Sequence, residues 1–355
     1  MLSSTPPNPL EGSGTFVGIA GLRQGLETLG HRLEFRPLRF RTGFHTLDRW
    51  LYNAGVAVRP PRGADLVYGV DLDGFLLGGR RVPLIVSLKG VIADELKNER
   101  GLTRALLSIQ ARWERRNTER ADLVVASSRY SCEVAHREYG VPEHKLAVVP
   151  EPIDLAEWNR RFAAARRLAR SRPGILCVAR MYPRKHIVDL LEAAALMRDR
   201  IPDVSVRIVG KGPEWESVVR RHGELGLGET VALLGDVSRE QLADEYVNAD
   251  LFCLPSVQEG FGIAFLEAMA AGLPVVACRS AAIPEVVEDG VTGVLVAPRD
   301  PAALAAAMQE LLASPERRRA MSEAGRRSVT RFTPERVAGR LLEAVRLALD
   351  RRQAR

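Results

Sequence analysis

Short, continuous runs of Val, Ile and Leu recur along this chain, each followed by a polar or amphipathic stretch. That alternation restricts the fold more than any other feature. The runs fall at 65–70, 83–88, 122–126, 146–149, 175–179, 204–209, 230–234, 250–254 and 274–277. A strand with one wet face alternates apolar and polar residues. Most of these runs do not, so they read as parallel strands buried on both faces. Helical patterns at 187–198, 214–224 and 239–248 lie between them. Strand and helix in succession predict an α/β chain built on doubly wound parallel sheets.

So many strands crowd one sheet, which points to two. A length of 355 residues suits two domains at about 100–200 residues each. The break is expected in the polar, Arg-rich stretch 151–174, with a second sheet opening at Ile175. The last segment carries Val337, Leu341, Leu342, Val345 and Leu349 at helical spacing and could pack on either domain. The first sheet opens oddly. Only Met1 and Leu2 precede SSTPP, so either its central strand is short or the true start lies upstream.

Composition removes several classes of function. No run of eighteen apolar residues is present, so no spanning helix is expected. The opening MLSSTPPNPL has neither the basic region nor the apolar core of a signal peptide. The net charge of +7 is spread along the chain. It suits an anionic partner such as a nucleotide, a phosphate or a lipid surface. No basic stripe interleaved with aromatics appears, so nucleic acid is not expected. Cys132, Cys177, Cys253 and Cys278 form no C-x-x-C pair. They read as free thiols in a reducing cytoplasm, not as a zinc site.

The richest chemistry lies in VQEGFGIAFLEAMAAGLPVVA, residues 257–277. A buried strand ends at Pro255, and the carboxyl edge of such a strand is where open α/β sheets bind ligands. Ile263, Leu266, Met269 and Ala270 share one helical face, and Gly272 with Pro274 ends the helix. Glu259 therefore stands before a helix and Glu267 inside it, about 7 Å from Gly262 along the axis. The helix N-terminus between them favours phosphate, and Gly260 and Gly262 allow close backbone approach. Carboxylates on either flank suit hydroxyls, as in ribose, diphosphate and hexose of a nucleotide sugar. Spacing alone equally allows two solvated glutamates. The segment VARMYPRKH supplies Arg180, Arg184 and Lys185 as candidate diphosphate cations. By itself it also reads as a solvated basic turn.

The Glu259-x7-Glu267 pattern resembles the retaining glycosyltransferases of family 4, which have the GT-B fold. So do VARMYPRKHIVDLLEA (178–193, with Arg180 and Lys185), VRIVGKGPE (206–214), VALLGDVSRE (231–240) and PEVVEDGVTGVLV (284–296). In the first half, residues 6–34 and 121–154 are similar too, more weakly. The resemblance implies two Rossmann-like domains facing across a cleft. An acceptor-side domain would span 1–158, joined by a returning helix at 334–351, and a donor-binding domain would span 159–333. It implies transfer of a hexose from a nucleoside-diphosphate sugar to a saccharide, lipid-linked or small-molecule acceptor. Glu267 would bind ribose, Glu259 the donor sugar, and Arg180 with Lys185 the diphosphate. Backbone N–H groups of Phe261, Gly262, Ile263 and Ala264 would complete that cradle. Loops bearing Gly210, Gly212 and Val237 would flank the base, and a first-domain loop with Gly12 and Gly14 would approach the donor.

Fixed cations and N–H dipoles that stabilise a leaving diphosphate need no metal and no further cofactor. Asp71-Leu72-Asp73 has a D-x-D form that binds manganese in another glycosyltransferase fold, but here it reads as structural or cleft-lining. The pattern also departs from the family. Lys89 stands where a histidine is usual, and is a candidate reader of an anionic group or a residue of the cleft mouth. His186 replaces a usual glycine, and Glu151 a frequent asparagine. Residues 102–120 place Leu102, Leu106, Ile109 and Trp113 on one face amid arginines. They read as a helix covering the first sheet, with peripheral contact to an anionic membrane as the alternative. The expected location is cytoplasmic, or peripheral at the inner face of the plasma membrane. Rival readings are a sugar-nucleotide epimerase, a phosphorylase and a non-catalytic nucleotide-sugar-binding subunit of the same architecture.

Overall fold

A computed structural model describes residues 1–6, 9–79, 82–168 and 172–353. The chain divides into two compact units, 1–152 with 332–355, and 153–331.

The first unit is built on six parallel strands in the order β2-β1-β3-β4-β5-β6. In chain order its elements are β1 (Leu2–Ser3), α1 (Pro9–Thr28), β2 (Arg36–Pro37), α2 (His45–Val58), β3 (Val67–Val70) and β4 (Leu84–Leu88). Then come α3 (Ile92–Glu95), α4 (Gly101–Arg120), β5 (Leu123–Ala126), α5 (Arg129–Tyr139) and β6 (Leu146–Val148). β1 is central yet only two residues long, pairing with both β2 and β3. Neither β1 nor β2 has a pattern long enough to be recognised in the sequence.

The second unit carries the order β12-β11-β10-β7-β8-β9, again all parallel. It opens with α6 (Leu155–Ala164), β7 (Gly174–Val178), α7 (Ile187–Arg198), β8 (Ser205–Val209), α8 (Trp215–Glu224) and β9 (Val231–Gly235). It continues with α9 (Arg239–Val247), β10 (Leu251–Leu254), α10 (Ile263–Ala271), β11 (Val275–Cys278), α11 (Ile283–Val286) and β12 (Gly293–Val296). α12 (Pro301–Ala313) and α13 (Pro315–Val329) close it. The last helix, α14 (Pro334–Gln353), belongs to the first unit. Its Val337, Ala338, Leu341 and Val345 pack with Ile19, Leu22 and Leu26 of α1.

Both sheets contain a point where the strand order reverses, between β1 and β3 in one and between β7 and β10 in the other. Such points open crevices at the carboxyl edge. In the first unit Asp73 fills it: its carboxylate accepts the Ser4 N–H and hydroxyl, both at 2.6 Å, and the Asn53 amide at 3.1 Å. Asp71 itself adopts the left-handed region (φ +52°), and its carboxylate accepts the Lys89 N–H at 2.9 Å. The D-x-D carboxylates are thus tied into the first unit's own hydrogen-bond network. Burial pushes Asp71 up to about 6, with Arg49 pulling against it.

Among the described residues no disulfide joins the four cysteines. Cys177, Cys253 and Cys278 are buried and Cys132 is half-buried. Burial pushes the Cys177 thiol up to about 12, which leaves it an inert part of the core.

One helix departs from its sequence reading. The apolar residues of α4 were expected to cover the sheet with arginines outside. Leu102, Leu106 and Ile109 are exposed instead, and Gln110, Glu114 and Asn117 are buried. Hydrogen bonds decide this orientation. Glu114 accepts from the Ile92 N–H at 2.9 Å and from the Tyr139 hydroxyl, and Asn117 donates to the Asp71 carbonyl at 2.8 Å. Trp113 does turn inward, stacking on Phe75 at 5.2 Å.

Candidate active site

In the second unit, β7 and β10 lie side by side at the reversal point, and the segments leaving them carry the charged residues. β10 is buried throughout and ends at Leu254, with Pro255 next. The segment 256–261 then leads to Gly262, which caps α10 with φ +98°. A Cβ at that position would lie 2.5 Å from the Phe265 ring, so only glycine fits. The glycine turns the chain into the helix and leaves the first N–H groups of α10 at the carboxyl edge. The Phe265 N–H donates to the Gly262 carbonyl at 3.0 Å, and the N–H groups ahead of it stand at the positive end of the helix.

Glu259 is buried ahead of that turn. Its Oε1 accepts from the Lys185 ammonium at 2.5 Å and from the Ser256 hydroxyl at 2.8 Å. Burial alone would raise this carboxyl. Lys185, with Arg184 and Ser256, outweighs burial and holds it below the usual carboxylate range. Lys185 ends a single 3-10 turn, Pro183–Lys185, after β7. The Val257 N–H donates to the Arg184 carbonyl at 2.9 Å and ties this turn to the Glu259 loop. His186 follows with φ +47° and caps α7, its ring facing Asp189 at 3.3 Å. A glycine would adopt that backbone without strain; histidine adopts it here. Arg180 stands half-buried just past the end of β7.

Glu267 lies one turn inside α10. Its Oε2 accepts from the Tyr246 hydroxyl at 3.0 Å. Burial pushes this carboxyl up to about 7, against the pull of Tyr246 and Arg239. The two glutamates therefore differ in kind. Glu259 is an ionised partner of a lysine, and Glu267 is poised to change charge near neutrality.

Gly210 and Gly212 serve close packing. Gly210 has φ +108°, and a Cβ there would run into the Ala179 carbonyl. A Cβ on Gly212 would meet the Met181 backbone at 2.6 Å. The Met181 N–H donates to the Lys211 carbonyl at 3.1 Å, and the Gly210 N–H to the Gly235 carbonyl at 2.7 Å. The ends of β7, β8 and β9 are thereby stitched together. Val237 is half-buried just beyond, next to Asp236, which accepts the Lys211 N–H at 3.1 Å. Phe261 is buried, while Gly260, Ile263 and Ala264 are half-buried around the helix start.

The first-unit residues form a separate group. Lys89 follows β4, and its ammonium meets both oxygens of Glu151, beyond β6, at 2.9 and 3.0 Å. The two side chains are 8% and 6% exposed, so the pair is buried. Burial works against the lysine's charge, but Glu151 outweighs it and lifts the ammonium above its ordinary range. The two departures at 89 and 151 are thus partners. Gly18 of α1 lies against them, and a Cβ there would clash with the Glu151 carboxylate. Gly12 and Gly14, expected in a loop, lie within α1. Sequence reasoning gave Tyr246, Ser256 and Glu151 no role at a site. Glu151 was visible only as an unusual residue, and nothing local marks the other two.

Among the described residues, no group of three or more His, Cys, Asp and Glu side chains is arranged to hold a metal ion. No helix among them is long and apolar enough to cross a membrane.

Residues 160–328 match the family model described as Glycosyl transferases group 1, and residues 21–157 match that of Glycosyltransferase Family 4. Among curated relatives, the chain is 36% identical over 224 residues to a GDP-mannose-dependent alpha-(1-6)-phosphatidylinositol monomannoside mannosyltransferase of Mycolicibacterium smegmatis, covering 58% of this chain and 57% of that protein. It is 35% identical over 237 residues to a D-inositol 3-phosphate glycosyltransferase of Segniliparus rotundus, covering 64% of this chain and 53% of that one. The chain thus spans little more than half the length of these relatives. Among solved structures, sucrose-phosphate synthase from Thermosynechococcus elongatus superposes with a TM-score of 0.79 at 22% identity, covering 98% of both chains. HepE of Anabaena, solved with UDP and glucose, gives 0.72 at 20% identity, covering 97% of this chain and 98% of that one. These structures share the fold.

Proposed function

We propose that this chain, which belongs to glycosyltransferase family 4 and has the GT-B fold, transfers a hexose from a nucleoside-diphosphate sugar to an acceptor hydroxyl, with retention and without a metal. The observation that carries this reading is the reversal point of the second sheet, where Lys185, Glu259 and the start of α10 converge and Glu267 follows one turn later. The donor's diphosphate lies against the N-terminus of α10. Its ribose hydroxyls reach Glu267 and its hexose hydroxyls Glu259. Arg180 and Lys185 balance the diphosphate at rest and as negative charge grows on it.

In the transfer step the bond from the anomeric carbon to the diphosphate oxygen breaks, and its electron pair leaves with the diphosphate. The acceptor oxygen bonds to that carbon on the same face, and its proton passes to the departing phosphate oxygen. No protein base is required on this route. Glu259, held ionised by Lys185, supports the positive charge that develops on the sugar.

The relatives' names join GDP-mannose to phosphatidylinositol monomannoside in one case and specify D-inositol 3-phosphate in the other. GDP-mannose with an inositol-phosphate acceptor is therefore the first substrate pair to test. Peripheral contact with an anionic membrane at the cytoplasmic face belongs to the same reading, since one of these names includes a lipid acceptor. The test is a panel of GDP- and UDP-sugars, with and without acceptor, read as nucleotide release and product anomer. Acceptor-dependent release with the donor's anomeric configuration kept, unaffected by EDTA, supports the reading. Release that requires a divalent cation, or an inverted product, contradicts it.

A further inference from the structure

Two neighbouring helices of the first unit bury polar side chains while leaving large apolar ones outside. In α2, Asp48, Arg49 and Asn53 are buried, while Leu47, Trp50, Leu51 and Val58 are exposed. The inward polar groups are satisfied. Asp48 accepts the Thr42 N–H and hydroxyl at 2.6 and 2.7 Å. Arg49 donates to the Ser4 hydroxyl at 3.1 Å and to Gln110 of α4 at 3.2 Å. Asn53 accepts the Gly74 N–H at 2.7 Å. α4 repeats this pattern over its first half, with Leu102, Leu106 and Ile109 outside. Gln110 also donates to Thr46 of α2 at 2.8 Å, so the two helices adjoin there.

The segment entering α2 adds Phe40 and Phe44, 70% and 75% exposed, beside Trp50 at 42% and Leu102 at 75%. A helix that buries its charges and exposes its leucines and tryptophan is costly in water, and contiguous exposed apolar surface marks an interaction site. The charge along these two segments is mostly positive. Asp48 is the only acidic residue between 35 and 64, and it is buried. None lies between 100 and 113. Arg39, Arg41, Arg100, Arg104 and Arg112 are all exposed.

We propose that this face of α2 and α4 docks on an anionic lipid bilayer. Phe40, Phe44, Leu47 and Trp50 enter the boundary between headgroups and acyl chains with Leu102 and Leu106, and the arginines meet lipid phosphates. A second copy of the chain is disfavoured as occupant, because an isologous contact would set these arginines against themselves. The inference deepens the membrane-contact part of the proposed function and rests on that reading only for its biological sense. Binding itself is independent of sugar transfer.

The test is co-sedimentation of the full chain with phosphatidylcholine vesicles containing or lacking phosphatidylglycerol. The wild type is expected to favour the anionic vesicles by at least about tenfold and to lose that preference in high salt. Combined Phe44→Ser, Trp50→Ser and Leu102→Ser should lower binding at least about tenfold. Combined Arg39→Gln, Arg104→Gln and Arg112→Gln should do the same on anionic vesicles. All these side chains are exposed, so melting temperatures and nucleotide release with a water-soluble acceptor should stay unchanged. Indifference of the wild type to phosphatidylglycerol, or full binding by the serine variant, overturns the proposal. So does a concentration-dependent dimer that the serine variant abolishes, which would give the face to a second copy. Vesicle binding without turnover of any donor keeps this inference and removes the transferase reading; turnover without vesicle binding does the opposite.

Discussion

The Lys185 ammonium lies 2.5 Å from Glu259 Oε1, bridging the segments that leave β7 and β10. Read from sequence, Lys185 belonged to the diphosphate and Glu259 to the sugar. In the structure they are partners. A donor entering here must therefore take over part of this contact, and its diphosphate must compete with a buried carboxylate. Lys185→Met should slow transfer by roughly 10²–10³ if one fixed charge on the leaving group is lost. It also strands a buried carboxylate, which costs about 3–5 kcal/mol in such pairs. Lys185→Arg should restore stability more than rate. Transfer kinetics and thermal melting, run together, separate the two effects.

Glu267 predicts a pH dependence of opposite sign for stability and for binding. Its carboxyl is pushed up to about 7 by burial, against an ordinary value of 4.5. The folded state then holds a proton that the unfolded state releases. Its contribution is fully present below the unfolded value and is lost as pH rises through about 7, at most about 3 kcal/mol. Accepting two ribose hydroxyls favours the ionised form, so nucleotide binding should strengthen over the same range. Melting curves from pH 5 to 8, with and without GDP, should show both trends in the wild type. Glu267→Gln should lose the binding trend and flatten the stability trend, leaving only the slope below about pH 6 that Asp71 contributes. A wild-type profile identical to that of the glutamine variant would contradict the assignment.

The Lys89–Glu151 pair should behave as a unit. Removing one partner leaves the other charged and buried, at about 3–5 kcal/mol. Lys89→Met with Glu151→Met should cost less than the sum of the single changes. Gly18→Ala supplies an independent check, because its Cβ would clash with the Glu151 carboxylate. Its destabilisation should shrink in a Glu151→Ala background. Additive effects throughout would mean that the pair does not form in solution.

Much of this was legible in the sequence because buried parallel strands announce themselves as unbroken apolar runs. β3 to β11 were located within a residue or two, and α7 over its full length, Ile187–Arg198. β1 and β2 were not, since two residues carry no periodicity and their pairing comes from neighbours. The helix between Glu259 and Glu267 was legible from Gly262 and Gly272, two glycines that both adopt positive φ. The facing of α2 and α4 was not. Apolar residues on one face predict burial of that face, but Arg49, Asn53, Gln110 and Glu114 form hydrogen bonds with distant segments that no local pattern records. The Lys89–Glu151 pair was invisible for the same reason, its members being 62 residues apart.

Gly262→Ala tests the turn that presents the helix. The substitution forces a side chain into a backbone with φ +98° and toward the Phe265 ring at 2.5 Å. A cost of about 1–3 kcal/mol is expected for such strain. Because the start of α10 would shift, affinity for the nucleotide diphosphate should fall further than stability does. Calorimetric binding of GDP or UDP to the folded variant reads this directly. Unchanged affinity would remove the α10 N-terminus from the diphosphate site.

The central claim is that Glu267 holds the nucleotide and Glu259 serves the transferred sugar. Steady-state kinetics of Glu259→Gln and Glu267→Gln, with the donor that the panel identifies, test it most directly. Glu267→Gln should raise the KM for donor and the Kd for free nucleotide while kcat stays within a few-fold. Glu259→Gln should lower kcat by about 10²-fold or more while nucleotide affinity holds. A fall in kcat confined to Glu267→Gln, with weakened nucleotide binding confined to Glu259→Gln, would contradict the account.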